Sequence, residues 1–413
     1  MSTVKYDKRT VRSWVLYDFA NSIFPAVVTT AVFPQFYVNF VVTADGGVGD
    51  LWWTRAVSLS ALVVAFTTPL LGAIADRSGV RKKLFAFYVA VCLIGVGLMT
   101  TLEPGMLIAG FVFFVVANVG FESAAVFYNA YLPDIAPSER LGEVSGRGFG
   151  WGYLGSALGL LLVLPFGMRE QFEPIWAVVV GFFLLFSIPA FRVLPADGPG
   201  QMRVAQAAVS GITELKAIIA EVWRIPNLRR FLFAYFFYID GVLTIIAMAG
   251  VIAVGTFGFT TTGVIILFLI VQFSAMAGAL TMARPTDRLG PKKVLTGVLM
   301  MWVAAGIAAY FIEGPTAFYV LAIVAGVGLG TVQSASRAFM ASLIPDGREA
   351  QMFGFYALCG RSSSVLGPLL FGLGVYSAGG HQRPGFLLPT GFFPIGLVLL
   401  QRVRDPKAQP VAA

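Results

Sequence analysis

About twelve long apolar stretches run through this chain, and they constrain its fold more than any other feature. Each is about 20 residues long, which at about 1.5 Å of rise per residue lets a helix cross a bilayer. Lipid cannot satisfy free backbone groups, and the stretches lack the alternation of membrane β-strands, so we expect helices. The predicted spans are 13–41, 52–75, 84–102, 106–131, 144–166, 174–194, 228–255, 261–283, 294–312, 316–342, 351–376 and 385–402.

The composition indicates a membrane protein without a cofactor. The chain is 57% hydrophobic and 12% charged, whereas a soluble domain is about 45–50% apolar and about 25% charged. The cysteines Cys92 and Cys359 and the single histidine, His381, form neither a disulfide framework nor a metal-binding spacing. We therefore expect no metal, no cofactor and no catalytic site.

The distribution of Lys and Arg predicts the orientation. With the N-terminus in the cytosol, three of the 29 basic residues face outward (Arg55, Arg169, Arg383) and two lie within spans (Arg337, Arg361). The remainder lie in cytosolic loops, as the positive-inside rule requires. We expect a multi-pass protein of the cell (inner) membrane with both termini in the cytosol. The net charge of +8 then reflects these loops and not a nucleic-acid partner.

The sequence repeats at an offset of about 210 residues, in three ordered matches. The matches are Asp76-Arg77-x-Gly79 with Asp287-Arg288-x-Gly290 (offset 211), Pro133-Asp134 with Pro345-Asp346 (offset 212), and Gly146, Gly152 and Gly159 with Gly354, Gly360 and Gly367 (offset 208). Parallel repeats place a binding site between the halves, near the bilayer midplane.

The repeat predicts three parts. These are an N-terminal six-helix bundle in 1–195, a cytosolic linker in 196–227 and a C-terminal six-helix bundle in 228–413. Apolar residues recur at helical spacing in the linker at Ile212, Leu215, Ile219 and Val222. We expect an amphipathic helix on the cytosolic membrane surface, with a plain connection between the halves as the alternative.

The repeated loop resembles the signature of the major facilitator superfamily. The copy from Gly72 to Lys83 matches it fully, and the copy around Asp287 keeps its centre but not its start. The resemblance implies an all-α membrane protein with twelve transmembrane helices in two pseudo-symmetric six-helix bundles. It also implies a secondary transporter that works by alternating access, with spans one, four, seven and ten lining a central cavity.

A narrower resemblance covers nearly the whole chain. It is carried by Trp14-x-x-Tyr17-Asp18 with Asn21-Ser22, Phe127-Tyr128-Asn129, Ser145-Gly146-x-Gly148, Tyr238-x-Asp240-Gly241 and Gly360-Arg361. These motifs resemble the branch of fungal autophagy-related vacuolar amino-acid effluxers and their uncharacterised bacterial relatives. The resemblance implies a small polar solute, with an amino acid as the expectation. We expect a monomer whose partners are this solute, the lipid bilayer and protons.

Ionisable residues inside membrane spans are costly and usually mark function. Asp18, Glu122, Asp240 and Arg337 each lie on one of the four spans that the resemblance places around the cavity. Three of these charges share a helix face with an amide three or four residues away. The predicted solute- or proton-binding residues are Asp18, Asn21, Asn118, Glu122, Asp240, Gln333 and Arg337.

These residues are expected to converge between the halves and to hold a zwitterion. The carboxylates would bind an ammonium group, and Arg337 would bind a carboxylate in bidentate fashion. Arg361, on span eleven, is expected to form an internal ion pair. A brace or gate at the cytosolic end is the alternative for Asp18 and Arg337. A structural ion pair with Arg337 or Arg361 is the alternative for Glu122 and Asp240.

The repeated loops are expected to gate the cytosolic side. An aspartate at the end of a span can bond the N-terminal amides of a neighbouring helix, where the dipole favours negative charge. The first loop would act near the start of span eleven and the second near the start of span five. The predicted gating residues are Asp76, Arg77, Gly79, Asp287, Arg288 and Arg147, the last as a partner of Asp287.

Three further hypotheses concern the mode of action. Burial disfavours the charged form of a carboxyl group, so Glu122 or Asp240 is expected to take up and release a proton. One alternative function is an exporter of drugs or amphiphiles, although span five lacks the Gly-Pro motif frequent in such antiporters. The other is a non-transporting receptor or sensor, although no solvent-exposed signalling domain is evident.

Overall fold

The computed structural model describes residues 6–44, 48–204, 206–207, 215–363, 366–379 and 381–405. All regular structure within these ranges is helical. We number the membrane helices α1 to α12 in chain order. They are α1 Lys8–Asn21, α2 Val48–Ser78, α3 Arg81–Leu98, α4 Leu107–Asn129, α5 Leu141–Gly167, α6 Phe172–Val193, α7 Pro226–Gly255, α8 Thr261–Leu289, α9 Pro291–Phe311, α10 Gly314–Leu343, α11 Glu349–Ser363 with Leu366–Ser377, and α12 Phe392–Gln401.

These helices match the predicted spans. Eleven helical segments in the described ranges are long and apolar enough to cross a membrane, and they correspond to predicted spans one to ten and twelve. The two helices of α11 occupy predicted span eleven. The predicted all-α fold of twelve transmembrane helices in two six-helix bundles is therefore confirmed.

The first span ends at Val41, as predicted, but begins at Lys8, five residues before its predicted start. It continues beyond α1 to Val41, largely as wider π-helical turns. Pro25 and Pro34 lie in this part, and a proline lacks the N–H group that an α-helix needs. The apolar run alone does not reveal this local change in winding.

The two bundles meet through two equivalent helix pairs, α2 with α11 and α5 with α8. A Cβ atom added to Gly72 of α2 would overlap the main chain of α11, and one on Gly354 would lie 2.6 Å from the oxygen of Thr68. A Cβ on Gly146 of α5 would lie 2.6 Å from the oxygen of Ala279 on α8. Gly146 and Gly354 are a repeated pair, so the sequence repeat is also a repeat of helix packing.

Both close contacts lie toward the end of the molecule that carries the loops after α2 and α8, here called the basic end. Two lysines that follow these loops, in the first turns of α3 and α9, bond the carboxyl end of the last helix of each bundle. Lys82 Nζ donates to the oxygen of Leu194 at 2.5 Å. Lys292 Nζ donates to the oxygens of Gln401 and Val403, both at 2.8 Å. Cations are favourable at helix C-termini, so these lysines fasten α6 and α12 to the basic end.

The linker contains a helix at Leu215–Arg224, here called the linker helix. Val222 is buried against the bundles, whereas Ile219 and Trp223 are exposed. Ile212 lies outside the described residues. The position of the linker helix on a membrane surface stays a prediction. The boundaries proposed for the three parts of the chain also stay predictions.

Candidate functional site

Asp76, at the end of α2, lies at the N-terminus of α11. Its carboxylate accepts hydrogen bonds from the N–H groups of Ala350, at 3.2 Å, and Gln351, at 2.9 Å. The first N–H groups of a helix lack partners within it, and the helix dipole favours an anion there. We call this contact of Asp76 with α11 the Asp76 latch.

The other two predicted gating residues of this loop shape the chain after α2. Gly79 adopts a φ of +61°, which glycine tolerates and which turns the chain into α3. The main-chain oxygen of Arg77 accepts a hydrogen bond of 2.8 Å from the N–H group of Gln201 in the linker.

Asp287, at the end of α8, makes the equivalent contact with α5. Its carboxylate accepts hydrogen bonds from the N–H groups of Gly142, at 2.7 Å, and Glu143, at 2.6 Å. These residues precede Ala350 and Gln351 by 208 positions, which is the offset of the repeated glycines. We call this contact the Asp287 latch. The two latches join the halves at symmetry-related places on the basic end.

Arg147, the expected partner of Asp287, contacts other groups. It forms an ion pair with Glu143 at 2.6 Å and donates to the hydroxyl of Tyr6 at 3.3 Å. These described contacts place Arg147 beside the Asp287 latch, where it neutralises Glu143, whose N–H group bonds Asp287. Arg288 is exposed at the end of α8.

Arg337 of α10 joins four helices where the halves meet. Its Nη2 donates to Asp18 Oδ2 of α1 and to the main-chain oxygen of Ser145 of α5, both at 2.9 Å. Its Nε donates to Ser145 Oγ at 3.0 Å, and its Nη1 donates to Asn129 Oδ1, at the end of α4, at 3.3 Å. We call this set the Arg337 cage. Because Arg337 lies in the last two turns of α10, the cage is close behind the latches.

Aromatic rings close the Arg337 cage. The guanidinium carbon lies 4.0 Å from the ring centre of Phe149 and 4.7 Å from that of Trp14. A Cβ atom on Gly148 would lie 2.5 Å from Arg337 Nη2. Only 3% of the Arg337 side chain and 10% of the Asp18 side chain are exposed. In this conformation, therefore, Arg337 has almost no free surface with which to bind a solute.

Glu122 of α4 and Arg361 of α11 form a second ion pair between the halves. Arg361 Nε donates to Glu122 Oε2 at 2.9 Å, and Nη2 bonds the other carboxylate oxygen, so the pair is bidentate. Arg361 lies twelve residues after Glu349, the first residue of α11. At about 1.5 Å per residue it is roughly 18 Å from the Asp76 latch, close to mid-membrane.

Asp240 of α7 lies against the second helix of α11. Its Oδ1 accepts bonds from the N–H group of Gly367, at 3.1 Å, and from Thr244 Oγ1, at 3.3 Å. Its Oδ2 is buried without a hydrogen-bond partner among the described residues. A charged carboxylate with one unsatisfied oxygen is unfavourable at such a site.

The three predicted amides have separate surroundings. Asn118 Nδ2 donates to Ser60 Oγ of α2 at 2.8 Å, within the N-terminal half. Gln333 Oε1 accepts a bond of 3.1 Å from the Tyr153 hydroxyl of α5, across the halves. Asn21 is buried on α1, one turn after Asp18.

The predicted binding residues therefore do not form one set in the described contacts. Asp18 and Arg337 pair near the basic end, Glu122 pairs with Arg361 deeper in the membrane, and Asp240 bonds α11. The sequence prediction omitted Ser145 and Asn129, which complete the Arg337 cage. Both residues are polar, lie in largely apolar stretches and belong to the motifs quoted above. The sequence therefore contained a signal that could have identified them as site residues.

The linker helix also reaches the Asp76 latch, which the sequence did not predict. Glu221 Oε2 accepts bonds from Arg348 Nη1, at 2.9 Å, and from Gln351 Nε2, at 3.1 Å. Gln351 is the residue whose N–H group is bonded to Asp76. The linker helix thus contacts the same turn of α11 that closes the basic end.

Replacing Glu221 by glutamine is expected to loosen the basic end by about two- to fivefold, because a partly exposed ion pair contributes up to about 1 kcal/mol. The measurement is the rate of maleimide labelling of a cysteine at Ser334, which is buried between α10 and α5. Cys92 and Cys359 are replaced by alanine in this reporter. The matched control is Glu313→Gln, at an exposed glutamate before α10. Equal labelling rates in both variants would show that the linker helix does not hold the basic end closed.

The chain is similar in sequence to known transporters. The family described as vacuole effluxer Atg22 like matches residues 53–413. The chain is 31% identical over 418 residues to the uncharacterized MFS-type transporter YxiO of Bacillus subtilis, covering 97% of this chain and 96% of that protein. It is 26% identical over 437 residues to autophagy-related protein 22 of Yarrowia lipolytica, covering 83% and 74%.

The fold is similar to those of solved transporters. Superposition on the human organic anion transporter MFSD10 gives a TM-score of 0.78 at 14% identity, covering 95% of this chain and 99% of that one. Superposition on the major facilitator transporter FucP in its outward conformation gives 0.69 at 13% identity, covering 96% and 98%. The chain therefore belongs to the Atg22-like family of the major facilitator superfamily, and it is a multi-pass membrane transporter of small molecules and not an enzyme.

Proposed function

We propose that this protein moves a small polar solute, with amino acids as the first candidates, across the cell membrane by alternating access. It acts as a monomer with both termini and the basic end in the cytosol. The observation that carries the proposal is that polar contacts close the two halves against each other at the basic end. In this conformation a solute would enter from the opposite side.

The chemistry of the basic-end contacts suits a gate. The Asp76 and Asp287 latches use carboxylates on helix N-termini, and the Arg337 cage uses an ion pair with Asp18. Each is strong in a closed, dry interface, and water can replace its polar partners when the halves separate. Such contacts can break and reform without unfolding either bundle, as rocking of one half against the other requires.

Protons are the proposed coupling ion. Glu122 and Asp240 are buried carboxylates within the membrane. Burial opposes the charged form of a carboxyl group, which the ion pair with Arg361 offsets at Glu122, whereas Asp240 has no ion pair among the described residues. Asp240 Oδ2, which is without a partner among the described residues, is the first candidate for protonation. Uptake that ignores an imposed pH gradient, together with full activity of Asp240→Asn, would remove the coupling while leaving transport intact.

Counterflow in proteoliposomes tests the function. Purified protein is reconstituted with each amino acid inside, and uptake of the labelled amino acid is followed with and without a pH gradient. We expect accumulation for at least one amino acid above liposomes without protein. The absence of counterflow for every amino acid would overturn the assignment of the solute.

Asp76→Ala is expected to lower the transport rate about tenfold or more without loss of folded protein. The variant loses two charge-assisted hydrogen bonds to α11, each worth about 1.5–3 kcal/mol, and so disfavours the closed basic end. The matched control is Asp50→Ala, an exposed aspartate at the other end of α2. Wild-type rates in Asp76→Ala would refute the gating role.

A further inference from the structure

The two arginines that lie within membrane spans differ sharply in exposure. The Arg337 side chain is 3% exposed and is held by several acceptors and aromatic rings, whereas the Arg361 side chain is 39% exposed. The described ion pair of Arg361 is with Glu122 alone, which is 9% exposed. Of the two, Arg361 is therefore the arginine that a solute can reach in this conformation.

The charged group of Arg361 lies between the halves, because it bonds Glu122 of the opposite half. A guanidinium near mid-membrane is strongly disfavoured against hydrocarbon, so it turns toward the bundle interior or water. Its partner Glu122 lies on α4 of the opposite half and shows where the side chain points. The ion pair therefore crosses the region in which parallel repeats place their binding site.

We propose that a zwitterionic solute binds by inserting into the Glu122–Arg361 ion pair. The carboxylate of the solute takes the place of the Glu122 carboxylate on the Arg361 fork, and its ammonium group takes the place of the guanidinium at Glu122. No bond is made or broken covalently, and no proton is transferred. This inference rests on the proposed function and assigns its recognition step to two residues.

Charge balance makes the site selective for zwitterions. Insertion of a zwitterion leaves both Glu122 and Arg361 paired with an opposite charge. A solute with only an anionic group would leave Glu122 uncompensated, and one with only a cationic group would leave Arg361 uncompensated. An unpaired buried charge is strongly destabilising, so discrimination of at least about 100-fold is expected.

The same step links binding to movement. In the present conformation the Glu122–Arg361 pair ties α4 to α11 directly. An inserted solute replaces this direct tie by a bridge through itself, with its ammonium group on the N-terminal half and its carboxylate on the C-terminal half. The distance between the halves at this depth then depends on whether a solute is bound.

The test compares wild type with the double variant Glu122→Gln/Arg361→Gln in amino-acid counterflow. A pair with only a structural role tolerates removal of both charges, because neither charge is left unpaired. We expect the double variant to remain folded by size-exclusion chromatography and to lose at least about 100-fold in counterflow. Arg361→Lys is expected to lose the bidentate contact and most of the activity. Arg169→Gln, in an exposed loop, is the control.

A competition arm uses each transported amino acid with its amide and its deaminated acid as unlabelled competitors. We expect competition by the amino acid and at least about 100-fold weaker competition by the two singly charged analogues. Counterflow retained by the double variant, or equal competition by the analogues, would overturn this inference and leave the proposed function standing. Failure of wild type to exchange any amino acid would instead overturn the assignment of amino acids as the solute in the proposed function.

Discussion

Arg337→Met is expected to lower the free energy of unfolding by about 3–5 kcal/mol, because it leaves the carboxylate of Asp18 buried without its cation. Methionine keeps much of the length of the arginine side chain but none of its hydrogen bonds. The transport rate should also fall to background, since the Arg337 cage closes the basic end behind both latches. The measurement is the midpoint of thermal unfolding in detergent, alongside counterflow.

The double variant Asp18→Asn/Arg337→Met separates charge from packing. With both charges removed, no buried ion is left unpaired, so the double variant is expected to be more stable than Arg337→Met alone. A double variant as unstable as the sum of its two single variants would mean that the pair is not coupled. In that case the structural importance of Arg337 would rest on Ser145, Asn129 and the aromatic rings.

Gly72→Val is expected to prevent closure of the basic end. A Cβ at this position overlaps the main chain of α11, which cannot move aside as a side chain can. Overpacking costs about 1–3 kcal/mol, here only in the closed conformation, which shifts the equilibrium toward the open basic end by about 5- to 150-fold. The maleimide labelling rate of the cysteine at Ser334 should rise by that factor, and counterflow should fall.

The matched control is Gly181→Val on α6, where an added Cβ would meet no atom within 4 Å. This variant should label and transport like wild type. If Gly72→Val behaves like Gly181→Val, then the close contact of α2 with α11 does not restrain the gate. The symmetry-related variant Gly146→Val, facing α8, offers an independent repeat of the test.

The sequence predicts the membrane helices well because a spanning segment must be both long and apolar. Even span eleven, which contains Arg361, was predicted from its length and from its glycine matches to span five. The helix ends were less accurate, since charged residues such as Lys8 and Arg77 extend helices beyond the apolar run. The π-helical turns up to Val41 occur near Pro25 and Pro34, and hydropathy does not reveal them.

The partners of the charged residues could not be predicted in the same way. Helical spacing tells which residues share one face, as with Asp18 and Asn21, but not which residue of another helix faces them. The pairing of Arg361 with Glu122 depends on how far α11 slides along α4, and the sequence does not encode that offset locally. A prediction based on one charge per cavity helix therefore assigned carboxylate binding to Arg337, which the structure encloses.

The repeated loops are the exception, because a sequence repeat constrains three-dimensional geometry. Asp76 and Asp287 recur at an offset of 211, and the amide groups that they bond recur at 208. Two matching loops in parallel repeats are expected to face equivalent helices. Because of this symmetry, the sequence predicts that these aspartates meet the starts of α11 and α5. The proposed pairing of Arg147 with Asp287 depends on side-chain positions, which the symmetry does not supply.

The most direct test of alternating access measures both ends of the molecule at once. Spin labels are placed at Ser138 and Leu289 on the basic end and, separately, at Met168 and Tyr376 on the opposite end, all exposed positions. The Gly72→Val background should lengthen the Ser138–Leu289 distance and shorten the Met168–Tyr376 distance relative to wild type. Distances that stay unchanged at both ends, or that change in the same direction, would contradict alternating access in this protein.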